Sequence, residues 1–189
     1  MELKNYINVY DNILTPKQVS ALLRHFEGSA EFEPAKIIKN EVSELDTKER
    51  FVQDYNLKTD KSFTETHWLN FIMLKLKAVY AHYKKRHGLR YNCFKCLEIT
   101  MLKYEEGGFY TIHSDASYQI HREFSVSIFL NNDYEGGSLE FFDPSHKHSI
   151  LKVEPQVGRV VMWPSNLFFP HRANTVTKGT RYAIVSWMI

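Results

Sequence analysis

The spacing of apolar residues divides this chain into a helical part and a strand-rich part. Before residue 90, apolar positions recur every three or four residues in two segments, as on the buried face of an amphipathic helix. After residue 90, short runs of alternating apolar and polar residues follow one another between turns rich in glycine, proline and aspartate. The pattern predicts two helices followed by a set of short strands.

Each predicted helix starts at a capping residue. Thr15 is followed three residues later by Gln18, and Ser62 is followed in the same way by Glu65, so both starts match the capping box. The second helix is the longer one, because its apolar spacing continues as far as Gly88, and glycine commonly ends helices. The apolar and aromatic stripe of this second helix is predicted to lie in the core.

Residues 29–61, between the helices, carry mixed charges without a clear period. We interpret them as a long loop with one short strand near residues 35–38. Long loops of compact domains often act as lids or binding loops, although they can also be passive connections. We expect residues 29–61 to hold the determinants of substrate choice.

The strand-like runs of the second part are short and evenly spaced. We predict strands at residues 97–104, 124–130, 138–142, 149–153, 157–163, 170–176 and 180–188. Such a series is typical of a β-sandwich or a jelly-roll barrel, so the predicted fold class is mainly β with N-terminal helices (α+β). No repeat or linker divides the sequence. We therefore expect a single domain over residues 1–189, with 1–90 as helical support and substrate loop and 91–189 as the jelly-roll core.

Composition and charge narrow the function classes. The chain has 189 residues and a formal net charge of +2, so its charge does not demand a nucleic-acid partner. Lysines interrupt the longest apolar stretch, and the N-terminus lacks the features of a signal peptide, so we expect a cytoplasmic protein without a membrane span. Nine histidines against two cysteines are the unusual counts, and they direct attention to histidine chemistry.

The two cysteines form the motif Cys93-x-x-Cys96, which is compatible with a redox or zinc site. The flanking residues look like a strand, in which positions three apart lie about 10 Å from each other and on opposite faces. No second Cys/His pair stands at zinc-finger spacing in the sequence. Two reduced core cysteines are therefore the preferred interpretation.

A candidate metal site combines His113, Asp115 and His171. His113 and Asp115 follow an aromatic run and lie two positions apart, so in an extended chain their side chains point to the same face. His171 stands in apolar surroundings at the start of a predicted strand and can supply a third ligand. Two histidines and one carboxylate are the facial triad of non-haem Fe(II) oxygenases, which leaves coordination positions open.

Arg181 adds a candidate anion site. It follows His171 by ten positions across the turn at Lys178 and Gly179, which predicts a hairpin with the two residues on neighbouring antiparallel strands. In this hairpin Arg181 lies opposite residue 176, roughly 15 Å along the strand from His171. A five-carbon diacid that chelates the metal at one end can reach the guanidinium at the other, where bidentate pairing with a carboxylate is favourable.

With these residues the sequence resembles the 2-oxoglutarate/Fe(II)-dependent dioxygenase superfamily, and in particular its prolyl 4-hydroxylase-like branch. The resemblance rests first on His113-x-Asp115, His171 and Arg181. It extends to further motifs of that branch, which here read Tyr104-Glu105-Glu106-Gly107-Gly108, Glu135-Gly136-Gly137, Val157-Gly158-Arg159-Val160 and Trp187. It covers residues 97–189 closely and the N-terminus loosely. One departure is Arg159, which stands where the branch usually has Asp.

The resemblance implies a double-stranded β-helix, a jelly-roll or cupin-like barrel flanked by two helices. It also implies that His113, Asp115 and His171 hold Fe(II). Arg181 would bind the distal carboxylate of 2-oxoglutarate, and the cofactor site would also include Tyr104 and either Ser125 or Ser127. Trp187 shares the strand face of Arg181 and would line the substrate pocket. For Tyr104 and Trp187 the alternative is an ordinary core position.

By the same resemblance the protein is an enzyme that uses Fe(II), 2-oxoglutarate and O2, with ascorbate as a further candidate cofactor. It would hydroxylate an unactivated C–H with release of succinate and CO2, and a prolyl residue in a protein or peptide is the favoured substrate. The alternatives are another residue, a free amino acid or small metabolite, or a catalytically silent metal-binding module. The dealkylating branch has a second Arg where this chain has Trp187, so no nucleic acid is expected as a partner.

A rival metal cluster is His146-Lys147-His148, which lies close to Asp143. It stands between a proline-containing turn and a predicted strand, in a polar run. We therefore expect these side chains to be exposed and not to form the metal site.

Overall fold

The structure of this protein is a computed structural model. It describes residues 2–39, 42–90, 92, 94–117 and 120–189. The predicted cysteine pair is only partly covered, because Cys93 lies outside the described residues. Cys96 is half-buried, and its thiol lies 3.0 Å from the Ser186 hydroxyl.

The chain is mainly β with two helices, as predicted. After a short 3-10 helix (Leu3–Tyr6), its elements in order are β1 (Asn8–Tyr10), α1 (Pro16–Ser29), β2 (Glu33–Pro34), β3 (Ile37–Lys39), β4 (Val42–Glu44), β5 (Arg50–Phe51), β6 (Gln53–Asn56), α2 (Phe63–His87), β7 (Cys96–Tyr104), β8 (Phe109–His113), β9 (Phe124–Phe129), β10 (Glu135–Gly136), β11 (Leu139–Phe142), β12 (Ser149–Val153), β13 (Val160–Pro164), β14 (His171–Ala173), β15 (Val176–Lys178) and β16 (Arg181–Met188).

Two antiparallel sheets form the body of the protein. The larger sheet has seven strands in the order β1-β13-β9-β16-β7-β6-β2, and the smaller has five in the order β12-β11-β14-β8-β5. Apolar side chains of both sheets, among them Phe129, Phe141 and Val161, pack into one cluster. The two sheets therefore pack against each other, and they do not close into a continuous barrel.

Alternation along the strands of the larger sheet gives it one apolar and one mixed face. On β16, Ile184 and Met188 belong to the same buried cluster as Leu22 of α1 and Ile72 of α2. The intervening positions of β16, which include Arg181, point to the other side. The helices thus cover the outer face of the larger sheet, and its inner face is available for a site.

The two helix starts follow the predicted capping pattern to different degrees. At α1 the Thr15 hydroxyl accepts from the Gln18 backbone N–H, and the Gln18 side chain accepts from the Thr15 N–H, so the box is complete. At α2 only the first half forms, through the Glu65 N–H and the Ser62 hydroxyl. The Glu65 carboxylate is buried and accepts from the Tyr55 hydroxyl instead.

Residues 29–61 are not the loop that their mixed charges predict. They contain β2 to β6, and three of these strands extend the main sheets: β6 pairs with β7, β2 pairs with β6, and β5 pairs with β8. These strands have only two to four residues, and most of their side chains are exposed or half-buried. Such short, half-exposed strands carry no alternation that a sequence can reveal.

The predicted hairpin between His171 and Arg181 is wrong. The run at residues 170–176 breaks into β14 and β15, and β14 lies in the smaller sheet. β16 lies in the larger sheet between β9 and β7, with Arg181 opposite Tyr104. The turn at Lys178 and Gly179 therefore connects strands of different sheets. His171 and Arg181 line the same cavity from two different sheets and do not belong to one hairpin.

Arg159, the departure from the expected turn sequence, has a structural role. Its guanidinium donates to the Asp11 carboxylate at 2.6 and 3.2 Å and to the Glu154 carbonyl at 2.8 Å. The neighbouring Gly158 has φ +74°, and a Cβ there would lie 1.9 Å from the Leu14 carbonyl oxygen. Glycine is required at this close approach. The hydrogen bonds from Arg159 to Asp11 hold the N-terminal segment next to this turn.

None of the helices in the described part of the chain is both long and apolar enough to span a membrane.

Candidate metal centre and active-site cavity

A cavity of about 560 Å³ lies between the two sheets, a size typical of small-molecule sites. Its walls come from the inner faces of both sheets and from residues of the 29–61 segment, among them Ile37, Arg50 and Asp54. The segment expected to influence substrate choice therefore lines the same cavity as the candidate metal ligands.

The three predicted metal ligands meet in this cavity. His113 ends β8, His171 begins β14, and the two residues are opposite each other in the antiparallel pair. Asp115 follows β8 by two residues, so its carboxylate comes between the imidazoles: Oδ1 is 3.7 Å from His113 Nε2, and Oδ2 is 3.4 Å from His171 Nε2. The three ligand atoms lie within 4.8 Å of one another, a spacing that suits one bound metal ion.

Both imidazoles are held in the tautomer that metal binding requires. His113 Nδ1 lies 2.9 Å from the Thr111 carbonyl oxygen, and His171 Nδ1 lies 3.1 Å from that of Phe169. Because a carbonyl only accepts, each Nδ1 carries the proton and donates it. Each Nε2 is then left with its lone pair directed at the shared point.

The charge state of the centre also suits a metal. Burial, reinforced by the neighbouring His171, lowers the pKa of His113 to about 3, so this imidazole is neutral at physiological pH. Burial alone would raise the pKa of Asp115, but His171, His113 and the Ser125 hydroxyl outweigh it and bring the pKa below its usual range. A neutral imidazole and an ionised carboxylate are the forms that bind metals.

Arg181 is a buried cation at another part of the cavity wall. Only 2% of its surface is exposed, and its guanidinium lies 4.6 Å from the centre of the Tyr104 ring and 5.2 Å from that of Phe129. Neither its Nε nor its Nη1 has a hydrogen-bond partner among the described residues. A charge buried in this way is costly unless it is paired, which points to an anionic ligand.

These features fit the cosubstrate that the sequence implies. A diacid with a 2-oxo group needs a metal with open positions at one end and a cation at the other, and one cavity contains both. Further polar atoms in its walls are buried without a partner in the described structure, namely Ser127 Oγ and Trp163 Nε1. Unsatisfied buried donors are rare in folded proteins, so they also favour a polar ligand here.

Comparison with known families agrees with this geometry. The sequence profile of the 2OG-Fe(II) oxygenase superfamily matches residues 99–189. Members of that superfamily use Fe(II), 2-oxoglutarate and O2. Both the His-Asp-His set and Arg181 lie within the matched residues of this chain.

Two relatives show how far the sequence similarity extends. The chain is 39% identical over 95 residues to a PKHD-type hydroxylase of Psychrobacter sp. (strain PRwf-1), and 41% identical over 66 residues to prolyl 3-hydroxylase 1 of Gallus gallus. The matches take in 45% and 35% of this chain, but only 35% and 9% of those proteins. This chain therefore spans about a third or less of their length.

Solved structures confirm the jelly-roll fold of this chain. A prolyl hydroxylase from Trichoplax adhaerens, in complex with a hypoxia inducible factor oxygen degradation domain peptide fragment, covers 98% of this chain and 84% of its own with a TM-score of 0.80 and 18% identity. A prolyl-4-hydroxylase from Pseudomonas putida covers 97% and 92% with a TM-score of 0.75 and 20% identity. At these identities the likeness establishes the fold.

The other predicted site residues also line the cavity, in different ways. Tyr104 presents its ring face to Arg181. Ser125 and Ser127 are both on the inner face of β9, but Ser125 is engaged, with its hydroxyl 2.7 Å from that of Ser165, whereas Ser127 Oγ has no partner within the described chain. Trp187 forms part of the wall on β16.

Several cavity residues were not singled out by the sequence. Arg122 lies over the Trp187 ring at 3.6 Å, pairs with Glu98 at 3.1 Å and donates to the Asp115 carbonyl oxygen at 3.3 Å. Tyr110 stacks on the His113 ring with a centroid distance of 3.6 Å. Strict alternation would place Tyr110, three residues before His113, on the opposite face, but the pairing of β8 with β14 shifts register between the two residues. Arg122 follows no periodic pattern.

The rival cluster is exposed, as expected. His148 Nδ1 pairs with the Asp143 carboxylate at 2.9 Å, and the His148 side chain is 79% exposed. Within the described ranges, His113, Asp115 and His171 are the one group of three or more such ligands close enough to share a metal ion.

Proposed function

We propose that this protein is a 2-oxoglutarate- and Fe(II)-dependent dioxygenase that hydroxylates an unactivated C–H bond of a prolyl residue in a protein or peptide. One observation carries the proposal: a metal-binding His-Asp-His set and an unpaired, buried arginine line the same cavity. A metal site alone would suit many functions. The buried Arg181 guanidinium in the same cavity favours a dianionic oxo acid as the cosubstrate.

Each end of the cavity has its own residues. His113, Asp115 and His171 would hold Fe(II), and Arg181 would pair with the distal carboxylate of 2-oxoglutarate. The Ser127 hydroxyl has no partner among the residues that the structure describes and could donate to the same ligand. When bound, the iron and 2-oxoglutarate supply the oxidising chemistry: O2 gives one oxygen atom to succinate and one to the substrate carbon, and CO2 is released.

The protein contributes orientation and a dry environment. The Thr111 and Phe169 carbonyls fix the orientation of the two imidazoles. The positions of these two side chains therefore do not depend on the binding of metal or 2-oxoglutarate. Apolar side chains, among them Leu139 and Ala173, form part of the cavity wall and reduce the access of water to the reacting groups.

A peptide substrate is supported by the relatives and by the cavity wall. Prolyl 3-hydroxylase 1 is a sequence relative, and the structural neighbour from Trichoplax adhaerens was solved with a peptide fragment. The cavity wall includes the side chains of Tyr110 and Trp187, which add aromatic surface to the site. Residues of β3 to β6 complete this wall, and we propose that they select the peptide.

The test of the cosubstrate uses the visible absorption band that forms when Fe(II) and 2-oxoglutarate chelate in the absence of oxygen. We expect the wild-type protein to develop this band and the His113→Ala and Asp115→Ala variants to lack it. His148→Ala, which removes an exposed histidine, should retain it. A band that survives Asp115→Ala and disappears in His148→Ala would overturn the site assignment.

The test of the substrate class measures succinate formation and a mass gain of one oxygen with pools of prolyl peptides. Prolyl peptides should raise succinate formation above the rate without substrate, and the added oxygen should map to proline. If free amino acids or nucleic acid raise the rate and no peptide pool does, the prolyl assignment is wrong although the dioxygenase assignment stands.

A further inference from the structure

The 29–61 segment reaches the residues that surround His113. Its strand β5 pairs with β8, and Arg50 lies directly opposite Tyr110 in that pair. The Arg50 guanidinium is 4.9 Å from the centre of the Tyr110 ring, which is within the range of a cation–π contact. Both side chains line the cavity. The first third of the chain therefore contributes a cation to the surroundings of a candidate metal ligand.

The Tyr110 ring in turn lies against that ligand. It is stacked on the His113 imidazole with a centroid distance of 3.6 Å and an interplanar angle of 15°. In a closely packed interior, a ring in face contact can tilt only if the neighbouring ring moves with it. The hydrogen bond from Nδ1 to the Thr111 carbonyl fixes the direction of the ring nitrogens, and the Tyr110 stack fixes the plane of the ring.

The residue next to Arg50 holds the same part of β8. The Glu49 backbone carbonyl accepts from the Thr111 N–H at 2.9 Å, and the Glu49 carboxylate accepts from the Thr111 hydroxyl at 2.5 Å. Thr111 is the residue whose carbonyl accepts from His113 Nδ1. Glu49 and Arg50 thus contact the two residues that orient the His113 ring.

Arg50 is also tied to the chain that enters β3. Its Nη1 donates to the Lys36 carbonyl oxygen at 3.0 Å, and both Lys36 and Ile37 line the cavity. One guanidinium therefore contacts the Tyr110 ring and the start of the cavity wall at β3. Arg50 precedes residues 99–189, so this contact comes from outside the part of the chain that the superfamily profile matches.

We propose that Arg50 is a positioning residue, which holds the Tyr110 ring against His113 and thereby fixes the plane of the imidazole at the metal. Glu49 supports the same ligand through Thr111. The proposal rests on the proposed metal site and deepens it, because it makes the geometry of that site depend on the 29–61 segment.

The experiment measures the affinity of the apoprotein for Co(II) by its visible d–d absorption, without 2-oxoglutarate or substrate. Arg50→Met removes the charge and keeps an unbranched side chain. It should weaken Co(II) binding about threefold or more and change the d–d spectrum, because His113 is less firmly oriented. Tyr110→Leu removes the ring itself and should weaken binding about 10-fold. Lys75→Met, the control, removes a cation 5.4 Å from the Phe71 ring on α2 and should change neither quantity.

Conservative variants separate positioning from loss of packing. Arg50→Lys keeps a cation near the ring and should restore most of the Co(II) affinity and the wild-type spectrum. Tyr110→Phe keeps the ring and should bind Co(II) as the wild type does. The double variant Arg50→Met with Tyr110→Leu should be no weaker than Tyr110→Leu, because Arg50 acts through the ring. If Arg50→Met does not fold, Arg50→Gln replaces it with the same expectation.

Wild-type Co(II) affinity and spectrum in the folded Arg50→Met protein would overturn the proposal. A loss in Arg50→Lys as large as that in Arg50→Met would also contradict it, since the cation would then not be the cause, and so would additive losses in the double variant. An equal loss in Lys75→Met would trace the effect to general destabilisation and count against it. If the wild-type protein binds no Co(II), the proposed metal site fails and this proposal fails with it, whereas the other outcomes leave the metal site standing.

Discussion

The metal end and the arginine end of the cavity differ in how their polar groups are satisfied. At the metal end, the imidazoles donate to backbone carbonyls, and the Asp115 carbonyl oxygen accepts from Arg122. At the arginine end, Arg181 Nε and Nη1 are buried with no partner in the described structure. The metal end is organised within the protein before a metal binds, whereas the arginine end is complete only when an anion arrives from outside.

The two ends also come from different sheets. His113 and His171 are on β8 and β14 of the smaller sheet, and Arg181 is on β16 of the larger sheet. A ligand that contacts both ends therefore joins the two sheets across the cavity. The two ends can be altered independently, and the predictions below use that independence.

The largest expected effect is at the metal end. His171→Ala should raise the dissociation constant for Co(II) or Mn(II) by at least about 100-fold, because a change in a residue that merely supports a ligand already costs about 10- to 100-fold. Calorimetric titration of the apoprotein measures it. A loss of less than 10-fold would show that the metal does not depend on His171, and the contrast between the two ends would fail.

At the arginine end, Arg181→Met should weaken 2-oxoglutarate binding about 100-fold, since hydrogen bonds to charged groups contribute about 1.5–3 kcal/mol each. The Co(II) affinity should stay within twofold of the wild type. The ligand-free variant should also be more stable in urea unfolding by about 1–4 kcal/mol, because a buried unpaired charge is replaced by an apolar side chain. A less stable Arg181→Met protein would mean that Arg181 is satisfied within the fold.

Acid should destabilise the metal-free protein through His113. Its pKa is about 3 in the folded state and about 6.5 in an unfolded chain, so the unfolded state takes up more protons as the pH falls through that window. The loss approaches about 1.4 kcal/mol per pH unit, or about 2 kcal/mol between pH 6.5 and pH 5. Urea unfolding at both pH values measures it, with His113→Asn as the reference. Identical pH dependence in that variant would refute the prediction.

The smallest effect is expected at the exposed cluster. His148→Ala removes a pair with Asp143 in which the histidine side chain is 79% exposed, and such pairs contribute about 0–1 kcal/mol. Unfolding stability and Co(II) affinity should both be nearly unchanged. A loss of metal affinity above threefold would require a second site at His148 and would end its use as a control.

The sequence predicted that His113, Asp115 and His171 come together because their signal is local. His113 and Asp115 are two positions apart in an extended segment, so their common face follows from the backbone alone. His171 stands out in an apolar context. Arg181 was also identified, but its path to the metal was not, since the predicted hairpin ignored a crossing between sheets that is set by long-range packing.

The supporting residues could not be predicted for a related reason. Ser165 contacts the Ser125 hydroxyl, and Arg122 donates to the Asp115 carbonyl oxygen. Contacts between positions 40 residues apart leave no spacing in the sequence. The short strands at residues 29–61 were missed for the same reason. Their extended conformation depends on pairing with β7 and β8, and their own side chains show no strand pattern.

The position of β5 and β6 also bears on where this protein can be cut. Both strands come from the first third of the chain. β6 is hydrogen-bonded to the edge of β7 in the larger sheet, and β5 to the edge of β8 in the smaller sheet. A fragment limited to residues 96–189 would leave β7 and β8 as uncovered sheet edges, which are prone to pair with other molecules. We therefore expect a fragment of residues 96–189 to aggregate, and we expect chimaeras that exchange this segment to need a β5–β6 equivalent from the recipient.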